Sequence, residues 1–246
     1  MTQPVQLHRL GLLPYRDAWD WQRLTAGAVR EGAPEALAIL QHPPVYTFGR
    51  RVHRENLLAK PADADVVESD RGGDVTYHGP GQLVAYSILN LRRRNLVAGD
   101  YVRLLEETMI RTAAAFAVEA HRIAGRPGVW VNGAKLGAIG VRVQGGVTTH
   151  GLAINVSTDL SRFDAIVPCG LAGISVTSVQ RELGYAPAMA AIEDSLLAAF
   201  AGLFDCSFEG APNAARQPTR RLDAASGTDA FSTATSQPRE AVRFAR

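Results

Sequence analysis

The sequence predicts an α+β fold: mixed, largely antiparallel sheets with flanking helices. Three observations carry that reading. Short extended runs outnumber helical stripes, strands and helices do not alternate regularly, and two dipeptides, Asn132-Gly133 and Gly145-Gly146, punctuate a strand-rich block from Val129 to Val156. Such dipeptides supply the positive φ of tight hairpin turns, which join neighbouring antiparallel strands. Regular alternation would instead have predicted a doubly wound parallel sheet.

The elements follow in chain order. Tyr15 to Val29 reads as a helix, because Tyr15, Ala18, Trp19, Gln22, Ala26 and Val29 recur on one helical face. Extended runs come next, at Ala36–Leu40, Val45–Phe48, Val66–Glu68, Val75–His78 and Leu83–Leu89. A second helix is expected from Tyr101 to about Glu119, with Asp100 as N-cap and Val102, Leu105, Met109, Ala113 and Phe116 as the face that covers a sheet. After the hairpin block, Thr177-Ser178-Val179-Gln180 has the spacing of a capping box for a short helix ending near Gly184. A last helix follows Pro187, with Met189, Ile192, Leu196, Ala199 and Leu203 in register. From about Ala211 the chain turns to Ala, Ser, Thr, Pro, Gln and Arg, a composition that buries too little apolar surface to offset its ordering entropy. The expected organisation is a catalytic domain over 1–210 and a disordered tail over 211–246.

Composition narrows the function. The chain has 246 residues, 46% hydrophobic and 20% charged, as a soluble globular protein has. A net charge of +2 gives no electrostatic case for nucleic acid, and no run approaches the ~18 apolar residues of a membrane span. No signal peptide is evident, and two cysteines cannot build a disulfide framework, so a cytoplasmic location is expected. Lys60 and Lys135 are the only lysines; all other fixed cations are arginine. Lys60 sits in a polar loop and reads as a surface charge.

Three segments carry chemistry. Arg71 to Gln82 places four glycines among Arg, Tyr and His donors, which suits either close backbone approach to a ligand or an ordinary turn. Gly133 to Val143 contains Lys135; in a regular strand Lys135 shares a face with Ile139, Val141 and Val143, and a bulge at the glycines would reverse that parity. A phosphate loop is excluded there, since Gly-Ala-Lys-Leu replaces Gly-Lys-Ser/Thr. In Ile166 to Gly173, Pro168 and Gly170 flank Cys169, which favours a fixed loop presenting the sulfur, although a small buried hydrophobe remains open. Cys206 reads as core. A Cys–His pair with His78 or His150 is the alternative to a Cys–Lys pair; His8, His42, His53 and His121 read as surface or turn residues. No metal-ligand spacing occurs.

Arg71 to Gln82, Gly133 to Gly140, His150 to Ala153 and Pro168 to Gly170 resemble the signature blocks of lipoyl(octanoyl) transferases, and His42 to Arg50 resembles the N-terminal block of that family. The resemblance runs from about Leu10 to Phe204. It implies a fold similar to biotin and lipoate protein ligase catalytic domains. It also implies transfer of octanoyl from octanoyl-acyl carrier protein, a phosphopantetheine thioester, to a lysine of lipoyl domains of 2-oxoacid dehydrogenases or glycine-cleavage H protein. Carried over, Cys169 is the nucleophile and Lys135 its partner. Arg71, Gly72, Gly73, Asp74, Val75, Thr76, Tyr77, His78, Ala138, Ile139, Gly140, Gly151, Leu152 and Ala153 line the acyl site. No cofactor, no metal, no nucleic acid and no membrane is expected. An ATP-dependent ligase, an octanoyl amidotransferase between lipoyl proteins and a non-enzymatic acyl-binding module are the competing readings.

Overall fold

Two sheets of unequal size organise the computed structural model, which describes residues 3–59, 61–167 and 173–210. The strands are β1 (Gln3–Leu12), β2 (Glu35–Gln41), β3 (Val45–Phe48), β4 (Asp65–Glu68), β5 (Thr76–His78), β6 (Gln82–Ile88), β7 (His121–Ile123), β8 (Arg126–Val131), β9 (Ala134–Gln144), β10 (Val147–Asn155) and β11 (Cys206–Gly210). The helices are α1 (Tyr15–Arg30), α2 (Ala98–Ala114), α3 (Val179–Leu183) and α4 (Met189–Leu203). The large sheet has the order β11-β1-β2-β6-β10-β9-β8-β7, and the small one β4-β3-β5. Only the pairings β1–β11 and β1–β2 of the large sheet and β3–β4 of the small one are parallel.

Both hairpins in the strand-rich block form as the dipeptides predict. Asn132 and Gly133 have φ 48° and 81°, and Gly145 and Gly146 have 62° and 87°, so each turn has two residues in the left-handed region. Helices cover both faces of the large sheet. Tyr101, Leu105 and Met109 of α2 pack with Ile192, Leu196 and Phe200 of α4 over Leu83, Leu152 and Ile154. On the other face Ala18, Ala26 and Val29 of α1 lie against Ala38, Tyr86, Ile88 and Ala153. Each large apolar side chain so buried contributes about 1.5–3 kcal/mol, which outweighs the weak helix propensities involved. The small sheet has its own core of Tyr46, Phe48, Tyr77, Phe163 and Ile166. No described helix is long and apolar enough to cross a membrane.

Some expectations shift. Helix α2 starts at Ala98, so Asp100 lies in its first turn, where its charge favours the helix dipole, rather than at the N-cap, which is Val97. It ends at Ala114, five residues early, in a turn where Ala117 has φ 56°. The cap of α3 is Ser178 instead of Thr177: its hydroxyl accepts from the Arg181 N–H, while Thr177 bonds Glu182. Helix α3 ends at the left-handed Gly184. His42 is fully buried rather than superficial, with its ring nitrogens bonded to Leu13 O and the Tyr86 hydroxyl. Lys60, Cys169 and the 211–246 tail lie outside the described residues.

Candidate active site

A cavity opens between the large sheet, the start of α1 and the segment leading into β5. Arg71, Gly73, Asp74, Val75, Thr76 and His78 contribute one wall; Lys135, Ala138, Ile139 and Gly140 of β9 and Gly151, Leu152 and Ala153 of β10 form the floor. Tyr15, Val84, Tyr86 and His150 close it. Two residues of the expected acyl site lie elsewhere. Gly72 lines an adjoining groove, and Tyr77 turns into the small-sheet core against Tyr46 and Phe163.

Lys135 reaches this cavity through a break in strand register. Val129 pairs with Gly137 but Trp130 pairs with Lys135, so Leu136 is an extra residue on β9. This bulge reverses the parity of a regular strand. Lys135 therefore lies against the cavity with Ala138 and Gly140, while Ile139 and Val141, though they also line the space around Lys135, pack against the α2 core. Its amine lies 5.3 Å from the Trp130 ring centroid, and its stem crosses Gly128. A Cβ on Gly128 would sit 2.9 Å from Lys135 Cε and 2.4 Å from Gly137 O, at φ 108°, so only glycine leaves room for the stem. The Lys135 N–H donates to Ser175 O at 2.8 Å, and its carbonyl accepts from the Thr177 N–H at 2.9 Å.

The wall opposite is fixed by Arg71. Its guanidinium is buried, with Nε at 3.1 Å and Nη2 at 2.9 Å from Thr47 Oγ1, and further bonds to the Thr47 and Gly72 carbonyls. Arg71 thus spends donors on holding its own loop. Gly140 admits that loop to the sheet: a Cβ there would lie 3.0 Å from Arg71 Cδ and 3.1 Å from Gly72 O. The Gly72 N–H then donates to Val141 O at 3.0 Å. Asp74 accepts from the Asn56 amide and from the His53 N–H, and Asn56 O accepts from the Val167 N–H at 2.7 Å.

Buried polar groups form two networks. His78 Nδ1 bonds Gln82 Oε1 at 2.7 Å, Gln82 Nε2 donates to Asn155 Oδ1 at 2.9 Å, and Asn155 Nδ2 donates to Thr177 O at 3.0 Å. This connects the small sheet to the segment that pairs with Lys135. In the second network Asp70 accepts from Trp19 Nε1 at 3.1 Å and His150 Nε2 at 2.7 Å, and it pairs with Arg142. His150 has φ 60°, which turns its ring out of the strand's alternation toward Trp19 of α1.

Burial, with the nearby Arg71 and Arg142 charges, pushes His150 down to about 3 although Asp70 touches it. Arg142 already balances that carboxylate, so the geometry favours a neutral ring donating through Nε2–H. His78 also falls to about 3, chiefly through burial and then through His42. Both rings are thus poor bases for a thiol of ordinary pKa about 8.5. Cys206 is buried in β11, and burial pushes its thiol up to about 11.

Tyr15, Tyr86, Asp70, Trp19, Gln82 and Asn155 were not singled out as site residues from sequence. The first four come from three separate elements with no shared motif, whereas Gln82 ends the glycine-rich segment already noted.

The family model described as the lipoyl protein ligase A/B catalytic domain matches residues 14–201. An octanoyltransferase of Chloroflexus aurantiacus is 49% identical over 209 residues, covering 81% of this chain and 94% of that one. An octanoyltransferase of a Mycobacterium species is 45% identical over 204 residues, covering 80% and 84%. Among solved structures, a lipoate-protein ligase A bound with ATP superposes with a TM-score of 0.72 at 14% identity, over 85% of this chain and 89% of that one. A bipartite lipoate protein ligase from Thermoplasma acidophilum gives 0.67 at 16% identity, over 85% and 87%. At such identities the two structures speak for the fold alone.

Proposed function

This chain belongs to the lipoyl protein ligase A/B catalytic domain family and is an acyltransferase of octanoyl groups in protein lipoylation, with a lipoyl-domain protein as acceptor; we propose that its donor is octanoyl-acyl carrier protein and that the octanoyl group passes through a thioester on Cys169. Cytoplasmic action is part of this reading. The placement of Lys135 is the observation that carries it. A buried amine lines the cavity, and its backbone is bonded to Ser175, six residues beyond Cys169. On the near side of the cysteine, Val167 is tied through Asn56 to Asp74, which lines the same cavity.

The proposed chemistry needs one proton and one amine. A thiol of pKa about 8.5 is only about 3% ionised at pH 7, and a neighbouring ammonium raises that fraction. The Cys169 thiolate attacks the donor thioester carbonyl and expels the carrier thiolate, which takes its proton from Lys135. The acceptor lysine gives up one proton to solvent to become a neutral amine, attacks the acyl-enzyme, and gives a second proton to the now neutral Lys135 as Cys169 leaves as a thiolate. Lys135 ends as it began. Thioester exchange is nearly isoenergetic and amide formation is downhill, so no ATP is consumed.

The test is to mix the full chain with octanoyl-carrier protein in the absence of ATP and weigh the product. One octanoyl adduct on Cys169, released by hydroxylamine, is expected, and Cys206→Ser should load and transfer as the parent does, since its thiol is buried and hard to ionise. Loading that requires ATP would overturn the reading in favour of a ligase.

A further inference from the structure

The acyl cavity continues into a second, larger space. A groove open to solvent shares Gly73, Asp74, Lys135, Ile139 and Gly140 with it. The groove runs between the segment after β3, which carries Arg51 and His53, and the β7–β8 hairpin, which carries Arg126 and Trp130. We propose that this groove seats the phosphopantetheine arm of the thioester donor, with Arg51 and Arg126 on opposite walls holding its phosphate. The inference rests on the reading that the donor is a carrier-borne thioester, and adds the route by which it arrives.

Charge is the first argument. Arg54, Arg111 and Arg162 each meet a carboxylate, whereas neither Arg51 nor Arg126 makes a side-chain ion pair or hydrogen bond among the described residues. Among the described residues Asp74 is the one carboxylate lining the groove; it is buried, and its oxygens accept from Asn56 and from the His53 N–H. The groove is therefore cationic, with Lys135 at its inner end. A phosphate diester is drawn to such a place, and guanidinium groups bind phosphate oxygens in paired hydrogen bonds. The acceptor lysine, which arrives as an ammonium, would meet mostly like charge along this path, since the Asp74 oxygens already accept from Asn56 and from the His53 N–H.

The backbone is the second argument. On the edge facing away from β10, β9 is paired by β8 only as far as Gly137. The next contact on that edge is Gly72 N–H to Val141 O. Between them Ile139, two residues before Val141, presents its own amide to the groove, since N–H and C=O of alternate strand residues point to the same side. An extended arm bearing two amides fits there as a short added strand. Trp130, Val102 and Val141 give its methyl and methylene groups an apolar wall. Arg126 is held in place from behind, because Trp130 Nε1 donates to its carbonyl at 3.2 Å.

The experiment compares two small donors, octanoyl-phosphopantetheine and octanoyl-pantetheine, which differ only in the phosphate, by their rates of Cys169 acylation. The parent chain should prefer the phosphorylated donor. In Arg51→Ala/Arg126→Ala that preference should fall by about 10²-fold, mostly through KM, the scale of two charged hydrogen-bonding partners. Arg126→Glu should invert it. Equal losses on both donors would overturn the assignment and make the arginines structural. An unchanged preference, or a rise in KM confined to the lipoyl-domain acceptor, would overturn it too, the latter giving the groove to the acceptor. A parent chain acylated by neither donor nor by octanoyl-carrier protein would instead remove the reading on which the inference rests.

Discussion

Lys135 lies where two properties of a lysine can be separated by experiment. Arginine keeps the positive charge, but it neither gives nor takes a proton near neutral pH. Lys135→Arg is thus expected to leave Cys169 reactive toward a small alkylating agent while single-turnover transfer falls by roughly 10²–10⁴. Lys135→Ala should lose both. Alkylation rates against pH beside transfer rates decide it, and normal transfer by Lys135→Arg would mean that charge alone matters. The buried histidines give a second prediction. His42, His78 and His150 are held at about 4, 3 and 3, below the ordinary value of about 6.5. Between those limits the unfolded chain binds protons that the folded chain refuses. Stability is therefore full above pH 6.5 and is lost as pH falls toward 4, by up to about 1.4 kcal/mol per pH unit for each histidine. Urea denaturation at pH 7.5, 6 and 5 measures that slope, and a flat profile would contradict the burial. The motif residues Arg71, Lys135 and Gly140 were legible in the sequence because they belong to contiguous blocks. The burial of His42 was not, although it opens such a block, because only the tertiary approach of Leu13 and Tyr86 supplies its partners.

Among the elements, β9 gives the sharpest contrast between pattern and outcome. Its turns were legible from Asn132-Gly133 and Gly145-Gly146, but its bulge at Leu136 was not, because it depends on which β8 residue faces Lys135. Strands β1, β7 and β11 went unread for a different reason. Strand β1 mixes Gln3, Gln6, His8 and Arg9 with its apolar residues and is mostly half-exposed, β7 has three residues, and β11 buries only Cys206. Strands β7 and β11 are the edges of the large sheet and β1 lies next to one, positions that impose no strict alternation. The chain from His78 through Gln82 and Asn155 to Thr177 ties β5, β6 and β10 to the segment beside Lys135. Asn155→Ala strands a buried Thr177 carbonyl and half of the Gln82 amide, so a loss of about 1–3 kcal/mol is expected in chemical denaturation, with an unchanged m-value. A loss within experimental error would show that neighbouring groups take over those bonds.

For the molecule as a whole, the α+β class and the largely antiparallel sheets followed from the density of hairpin signals, and the solved lipoate ligases share the fold at 14–16% identity. Segments outside the signature blocks carry a prediction of their own. A chain ended at Gly210 is expected to transfer octanoyl within a few-fold of the full chain, because the 211–246 composition offers no packing surface and no motif. A truncated protein that folds yet loses most of its rate would show the tail acting on a substrate.

The parallel pairing of β1 with β11 sets Val5 beside Phe208, across about two hundred positions of sequence. Read in time rather than space, this is a delay. At roughly 5–20 residues per second of synthesis, the outer edge of β1 waits about 10–40 s for its partner to be made. Strand β2 occupies the other side early, so the nascent chain carries a half-finished sheet with a ready row of unpaired amides throughout that interval. Arg9, exposed on β1 two residues past the stretch that β11 covers, places a charge beside the waiting edge, a guard against pairing with the wrong chain. The last strand of the domain is thus also its closing step.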